Sequence, residues 1–398
     1  MKRIVILGAG TGGTILANKL VRSLPDGWSV AVIDSGDVHL YQPGLVFVPF
    51  EHDEARIVRP RRSTLRGGIA WIHAEVSGID PVKRTLGLLP GGELAWDLLV
   101  IASGARVRPD LVPGLVGEDA RQDAFDLYTL GGAQALRHRL ERFREGRFVV
   151  SVADGPIKAE TAPLETLFLA DELFRRRGDR HRIELVLATP NAQVTPATLQ
   201  HLLEQKQIVV ESSFGTCTLD RDGKRMIAPN GRAIPYDVLG VVPPHTGAAC
   251  VERAGIGDER AFVRTHRATL EARELPNVFV LGDATDLPIP KLGSVAHYEA
   301  ELLADNLVRL VHGLELRPTF DGHSSAFIET GGGKAVLLDR DYGHAPSPGR
   351  MGWFPLLEQS RLAHFGKRAF RWVYWNVVLP GRPLPARTRH ASAGAPLF

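Results

Sequence analysis

Only two cysteines, Cys217 and Cys250, occur in 398 residues. So few thiols exclude a disulfide scaffold and fit a reducing compartment. No apolar run reaches the roughly eighteen residues of a membrane-spanning helix, so none is expected. The first apolar strand begins at residue 3, so no secretory leader is expected. The 14 histidines show no metal-ligand spacing, so no metal is expected. No internal repeat is visible beyond two similar halves, and only the last ten residues are of low complexity. What remains is a globular composition, 44% apolar and 23% charged, on a chain long enough for two or three domains.

Glycine, by contrast, is plentiful at 41 residues, and its first cluster is informative. Gly8, Gly10 and Gly13 follow the apolar run Ile4-Val5-Ile6-Leu7, and Asp34 ends a second run, Val30-Ala31-Val32-Ile33. Strand, glycine turn, helix, strand and acid form the arrangement that holds the ADP half of a dinucleotide. Gly8 permits the tight turn, Gly10 lets the backbone approach the pyrophosphate, and Gly13 lets helix and strand pack closely. Asp34 is expected to accept from the ribose hydroxyls. A later strand runs into Ala102-Ser103-Gly104, small residues where a chain passes close to a cofactor. A further strand ends in Gly282-Asp283-Ala284, with a long helix from Ser294 to Val311. That acid can sit under a ribityl chain, and the positive end of the helix can face a flavin ring. These three stretches together point to FAD.

Residues 130–205 read as a second α/β unit. Its first turn, Ala153-Asp154-Gly155-Pro156-Ile157-Lys158-Ala159-Glu160-Thr161-Ala162-Pro163, has one glycine and two prolines. A pyrophosphate cannot approach such a backbone in the usual way, so NADH is not expected there. The segments Ala70–Val76, Thr85–Leu89 and Leu94–Ile101 read as a meander inserted in the first domain.

The chain resembles the sulfide:quinone reductase and flavocytochrome c sulfide dehydrogenase branch of the flavoproteins with two dinucleotide-binding domains. The matching stretches are His39-Leu40-Tyr41-Gln42-Pro43-Gly44, Gly155-Pro156-Ile157-Lys158, Lys291-Leu292-Gly293-Ser294-Val295-Ala296-His297, Gly333-Lys334-Ala335, Tyr374-Trp375 and Leu379-Pro380-Gly381-Arg382-Pro383. The resemblance implies an α/β fold of two Rossmann-like domains of the glutathione-reductase type, a small β-rich piece and an amphipathic helical tail. Expected boundaries are 1–108 and 241–314 for the FAD domain, 109–240 for the second domain, 315–350 for the β-rich piece and 351–398 for the tail.

That family oxidises sulfide through two redox cysteines beside the flavin. In this chain the aligned positions hold Ala159 and Ala326, and neither remaining cysteine lies in a matching motif. Sulfide chemistry by a thiol relay is therefore not expected. The resemblance supplies a membrane quinone as electron acceptor and leaves the donor open. The alternatives are a flavin-binding paralogue kept for binding or assembly, and a sulfide:quinone reductase whose two redox cysteines have been exchanged for alanine by engineering; a homo-oligomer is compatible with each. Type II NADH dehydrogenases share the fold but need the glycine fingerprint missing from the second turn.

Candidate catalytic groups follow. Lys334 and Lys291 could bring an ammonium to the flavin or a quinone oxygen. His297 reads equally as proton carrier or packed side chain, and Glu165 as flavin-edge group or helix N-terminal charge. Asp154 and Glu160 flank Ala159 and are weaker candidates for a base. Expected cofactor ligands are Gly8, Gly10, Gly13, Asp34, Ala102, Gly104, Asp283 and Ser294.

Charge is uneven along the chain. Residues 351–398 carry seven Lys or Arg, one acid and three of the six tryptophans. Arg361, His364, Lys367, Arg368 and Arg371 recur at helical spacing, with Leu362, Phe365, Phe370 and Trp372 largely off that face. Such a helix, over residues 358–378, is expected to lie on an anionic membrane with its bases toward lipid phosphates. Nucleic acid is not an expected partner. The expected location is cytoplasmic, on the inner face of the cell membrane.

Overall fold

The computed structural model describes residues 1–116, 123–191, 196–215 and 217–382. The end of the tail, including Pro383 and the low-complexity stretch, lies outside the described residues, as does residue 216 within the strand-like stretch around Cys217.

Two five-stranded parallel sheets organise the molecule. The first runs Val278–Val280, Leu98–Ile101, Lys2–Leu7, Trp28–Asp34, Ala70–His73. Its central strand is flanked on both sides, and Ile4, Val5 and Ile6 are fully buried, as a strand with helices over one face and the antiparallel insert over the other should be. The second sheet runs Ala124–Asp126, Val238–Val242, Gly146–Val152, Ile183–Ala188, Ile208–Glu211. It ends at Val242, past the boundary expected at 240. Each sheet has its own apolar core, so two α/β domains share one chain.

The expected meander is corrected. Ala70–His73 and Leu98–Ile101 are strands of the first parallel sheet, and the antiparallel insert is Glu75–Asp80, Thr85–Leu89 and Glu93–Ala95. Leu98–Ile101 is buried at every position, the signature of a parallel strand rather than a half-exposed one. The β-rich piece is a four-stranded sheet. Its hairpin Ser324–Gly331 and Lys334–Arg340 is extended by Phe354–Leu356 and Gly349–Met351, beyond the boundary expected at 350.

The helix Arg361–Val373 starts where Ser360 Oγ accepts from the N–H groups of Leu362 and Ala363, and it continues as a π-helical turn over Tyr374–Val378. Its orientation is the second correction. Lys367 is buried against Glu165, Arg368 pairs with Glu51 at 2.5 Å, Arg371 with Asp53, and His364 with Glu329 at 2.9 Å. Apart from Arg361, which is exposed, the basic face therefore points into the protein. The outward face is apolar: Phe365 is 67% exposed and Trp372 66%. Sequence periodicity finds the two faces of such a helix but not which one meets the body, because the matching acids come from distant segments. Among the described residues, no helix is long and apolar enough to cross a membrane.

Candidate functional site

A cavity of about 530 Å³ lies between the two domains and the terminal helix. Its floor is the glycine turn. Gly8 has φ +107°, and a Cβ there would collide with the Ala102 carbonyl. A Cβ on Gly13 would collide with the Gly8 carbonyl, whereas one on Gly10 would meet nothing within 4 Å. Two glycines thus allow close packing, and Gly10 opens on free space. That is the cradle a pyrophosphate requires, at the start of helix Thr11–Leu20. FAD fits these residues.

Asp34 stands at the rim of the cradle, already engaged. It accepts from the N–H groups of Ala9 and Gly36, both at 2.8 Å, and pairs with Arg61. These contacts fix the carboxylate and leave it limited capacity for ribose hydroxyls. Ala102 and Gly104 (φ +69°) form the adjoining wall.

Asp283 opens on the cavity from the opposite side. Burial raises its carboxyl above the ordinary range, and Lys158 and Lys291 oppose that rise. Both lysines are buried themselves. Lys291 is not a loose ammonium: its Nζ donates to the carbonyls of Asp283 (2.9 Å) and Thr285 (2.8 Å), and it lies 4.1 Å from the centre of the Phe262 ring. It clamps the 282–285 turn. Helix Gly293–Val311 begins beside it without a side-chain cap, so its first N–H groups face the cavity at Gly293 and Ser294. Ser294 Oγ donates to Ser325 O at 2.7 Å, tying this helix start to the β-rich sheet.

Behind the turn, Glu299 is fully buried and accepts from the Gly282 N–H. Burial lifts its carboxyl from the ordinary 4.5 to about 8. The folded chain therefore keeps a proton that the unfolded chain loses above pH 4.5. Its contribution to stability is complete below that pH and is lost as pH rises through about 8. Thermal unfolding should show Glu299→Gln gaining on the wild type by about 3 kcal/mol between pH ~6 and ~9.

The second glycine-poor turn folds onto the first domain. The Ala159 N–H donates to Lys291 O at 2.9 Å, and Tyr128 O–H donates to Ala159 O at 3.0 Å. Ala159 has φ +43°, a left-handed conformation unusual for alanine. The Arg260 guanidinium lies across Gly155, where a Cβ would collide with it. Ala159 and Ala326 both line the cavity, although they are far apart in sequence. Cys217 and Cys250 do not line it. Each is buried in a different core, and burial pushes the Cys217 thiol up to about 11. Among the described residues no thiol reaches this cavity.

The remaining candidates divide. His297 is buried and lines the cavity. Glu165 also lines it, accepting from the Glu329 N–H at 2.9 Å and from Lys367. Lys334 lies elsewhere, exposed at the end of a hairpin turn whose glycines 331, 332 and 333 all have positive φ. Those glycines serve the hairpin. Glu160 is exposed and pairs with Arg340, and Asp154 packs on Gly215.

Residues expected at the bilayer, Lys367 on the basic face and Tyr374 and Trp375 as interface aromatics, are instead buried. Lys367, expected to face lipid, is a cavity wall. His39, Tyr41, Tyr374 and Trp375 form an aromatic cluster that closes the cavity over the first helix. Burial and the nearby Arg61 push His39 down to about 4, so its imidazole is neutral. Its Nδ1–H donates to Ala9 O at 3.2 Å, Nε2 accepts from Tyr374 O–H at 2.7 Å, and Tyr374 accepts from Thr11 Oγ1 at 2.8 Å. The motifs at 39–44 and 374–375 were visible in the sequence; only the fold shows that they meet.

Residues 2–300 match the pyridine nucleotide-disulphide oxidoreductase family. The mitochondrial sulfide:quinone oxidoreductase of Mus musculus is 23% identical over 393 residues, covering 95% of this chain and 86% of its own. That of Schizosaccharomyces pombe is 24% identical over 412 residues, covering 95% and 90%. The crystal structure of the sulfide:quinone oxidoreductase of Aquifex aeolicus superposes with a TM-score of 0.78 at 19% identity, covering 94% of this chain and 92% of that one. The chain belongs to the pyridine nucleotide-disulphide oxidoreductase family and is an oxidoreductase whose cofactor is FAD.

Proposed function

We propose that this protein passes two electrons from a donor that needs no protein thiol, by way of FAD, to a membrane quinone. The observation that carries the reading is the two-sided cavity. One wall holds Ala159 and Ala326, with no sulfur. The other is the terminal helix, through Lys367, Phe370, Tyr374 and Val378, and that helix turns an apolar face outward. The names of the relatives supply the quinone, and the helix supplies a route for it from the bilayer.

FAD, when bound, supplies a two-electron carrier. The chain does the rest. The open helix N-terminus at Gly293 and Ser294 favours negative charge in the cavity. Reducing a quinone to a quinol takes up two protons, of which one would arrive with the electron pair as hydride and the other must come from the chain. Lys367 and Glu165 hold one at the cavity wall, in a buried hydrogen bond across which it can move from Nζ to the carboxylate or back. Burial raises the Glu165 carboxyl, which brings the two proton affinities closer. The pair is buried, with Lys367 Nζ 5.3 Å from the centre of the Phe47 ring. The membrane surface concerned is the inner face of the cell membrane.

The test begins from FAD-loaded protein reduced by light under anaerobic conditions, so that no donor is needed. Decylubiquinone should restore the oxidised flavin band promptly. Oxidised protein mixed with sulfide or with NADH should keep that band. A reduced flavin that persists with every quinone would replace this reading with a binding or assembly role. Bleaching by sulfide would refute the thiol-free part.

A further inference from the structure

Four bases of the terminal helix, His364, Lys367, Arg368 and Arg371, are paired inward with acids of the body and cannot read lipid phosphates, whereas Arg361 is exposed. Another set of arginines is free to do so. The segment after the helix, residues 374–382, lies against the 56–66 loop and the end of the first helix. Arg59 sits 4.5 Å over the Trp375 ring, and Trp375 Nε1 donates to Arg56 O at 3.2 Å. Arg66 donates twice to Pro380 O, at 3.0 and 2.9 Å. Arg22 and Arg382 stand close enough to Arg66 to lower its proton affinity after burial has done so. Arg22, Arg59, Arg62 and Arg382 are exposed, and none pairs with a carboxylate among the described residues.

Directly beside this segment runs the apolar stripe. Leu362, Phe365 and Trp372 share one face of the helix at three- and seven-residue steps. Leu362 is 43% exposed, and Trp353, on the hairpin packed against the helix at Gly366, is 81% exposed. An apolar stripe bordered by unpaired arginines matches a bilayer, with hydrocarbon under the stripe and phosphates under the guanidinium groups. An acidic protein would answer the charge but leave the large exposed aromatics without a partner.

We propose that Arg22, Arg59, Arg62 and Arg382 form a headgroup-binding collar that selects anionic phospholipid and sets the depth and tilt of the terminal helix. The proposal rests on the membrane reading above but is separable from it. The stripe gives binding to any bilayer, and the collar gives preference for negative ones. Each arginine near an anionic surface adds to the attraction, so the four together should favour anionic vesicles at low salt by roughly a thousandfold. High salt should erase that preference and leave the rest.

The experiment is sedimentation of FAD-loaded full-length protein with vesicles of phosphatidylcholine alone, or mixed with phosphatidylglycerol, at low and high salt. Two charge reversals, Arg59→Glu/Arg62→Glu and Arg22→Glu/Arg382→Glu, lie on different elements, so both would have to misfold to confuse the result. Retained FAD absorbance reports folding. Each should lose most of the anionic preference with phosphatidylcholine binding unchanged. Phe365→Asp/Trp372→Asp should lose both. Full anionic preference in both charge reversals would overturn the collar. Failure of wild-type protein to bind any vesicle would sink the membrane reading itself, and capture by polyglutamate alone would assign the patch to an acidic protein.

Discussion

Gly10→Val should yield a folded, colourless protein. A Cβ at this position touches nothing in the chain, so the first domain can form around it. The branched side chain would fill the opening through which the backbone meets a pyrophosphate. Overpacking of this kind costs about 3 kcal/mol, which is roughly a hundredfold in FAD affinity. Gly13→Val is the contrast. There the new Cβ would enter the Gly8 carbonyl, helix Thr11–Leu20 would have to move, and both cofactor and stability should suffer. Far-ultraviolet circular dichroism and flavin absorbance per polypeptide separate the two outcomes. Gly10→Val protein that purifies with a full complement of FAD would contradict the cradle.

Lys367→Met should have the second large effect. It leaves Glu165 buried without its cation, and breaking a buried ion pair costs about 3–5 kcal/mol. Protonation of Glu165, already favoured by burial, caps that loss. The double variant Glu165→Gln/Lys367→Met removes both charges and should recover most of the stability. The two readouts then part. Thermal stability returns in the double variant, but reoxidation of reduced flavin by decylubiquinone stays slower, by roughly a hundredfold, because the proton-holding pair is gone. If the rate recovered along with stability, the pair would be structural only. A double-mutant cycle on both quantities makes the distinction.

The first nucleotide half was legible because its signal is local. Gly8, Gly10, Gly13 and Asp34 lie within one strand–helix–strand unit, and backbone sterics alone dictate their types. The second domain was legible by alternation of strand and helix, and the absence of a glycine fingerprint at 153–163 was visible too. That Arg260 lies across Gly155 was not, since it approaches from another part of the chain. The buried charges were equally hidden. Asp283 could be named from its turn, but Lys158 and the Asp283 environment meet only through the pairing of residues 158 and 291. Lys334 was misleading for a physical reason. Three glycines before a lysine look like an anion-binding loop, and the same three satisfy a hairpin that needs positive φ. The terminal helix was half legible. Its two faces followed from periodicity, yet Arg368 and Arg371 find their acids 317 and 318 positions away, beyond the reach of any local pattern.

Thr11 and Tyr374 share a hydrogen bond across 363 positions, one at the start of the first helix and one just after the last. The floor of the nucleotide cradle emerges from the ribosome first, and its roof follows 363 positions later. Flavin captured by a nascent chain would therefore sit in an open trough and exchange freely. Tight retention must await the emergence of Tyr374, so a chain cut anywhere before Arg361 should lose flavin more readily than the intact one.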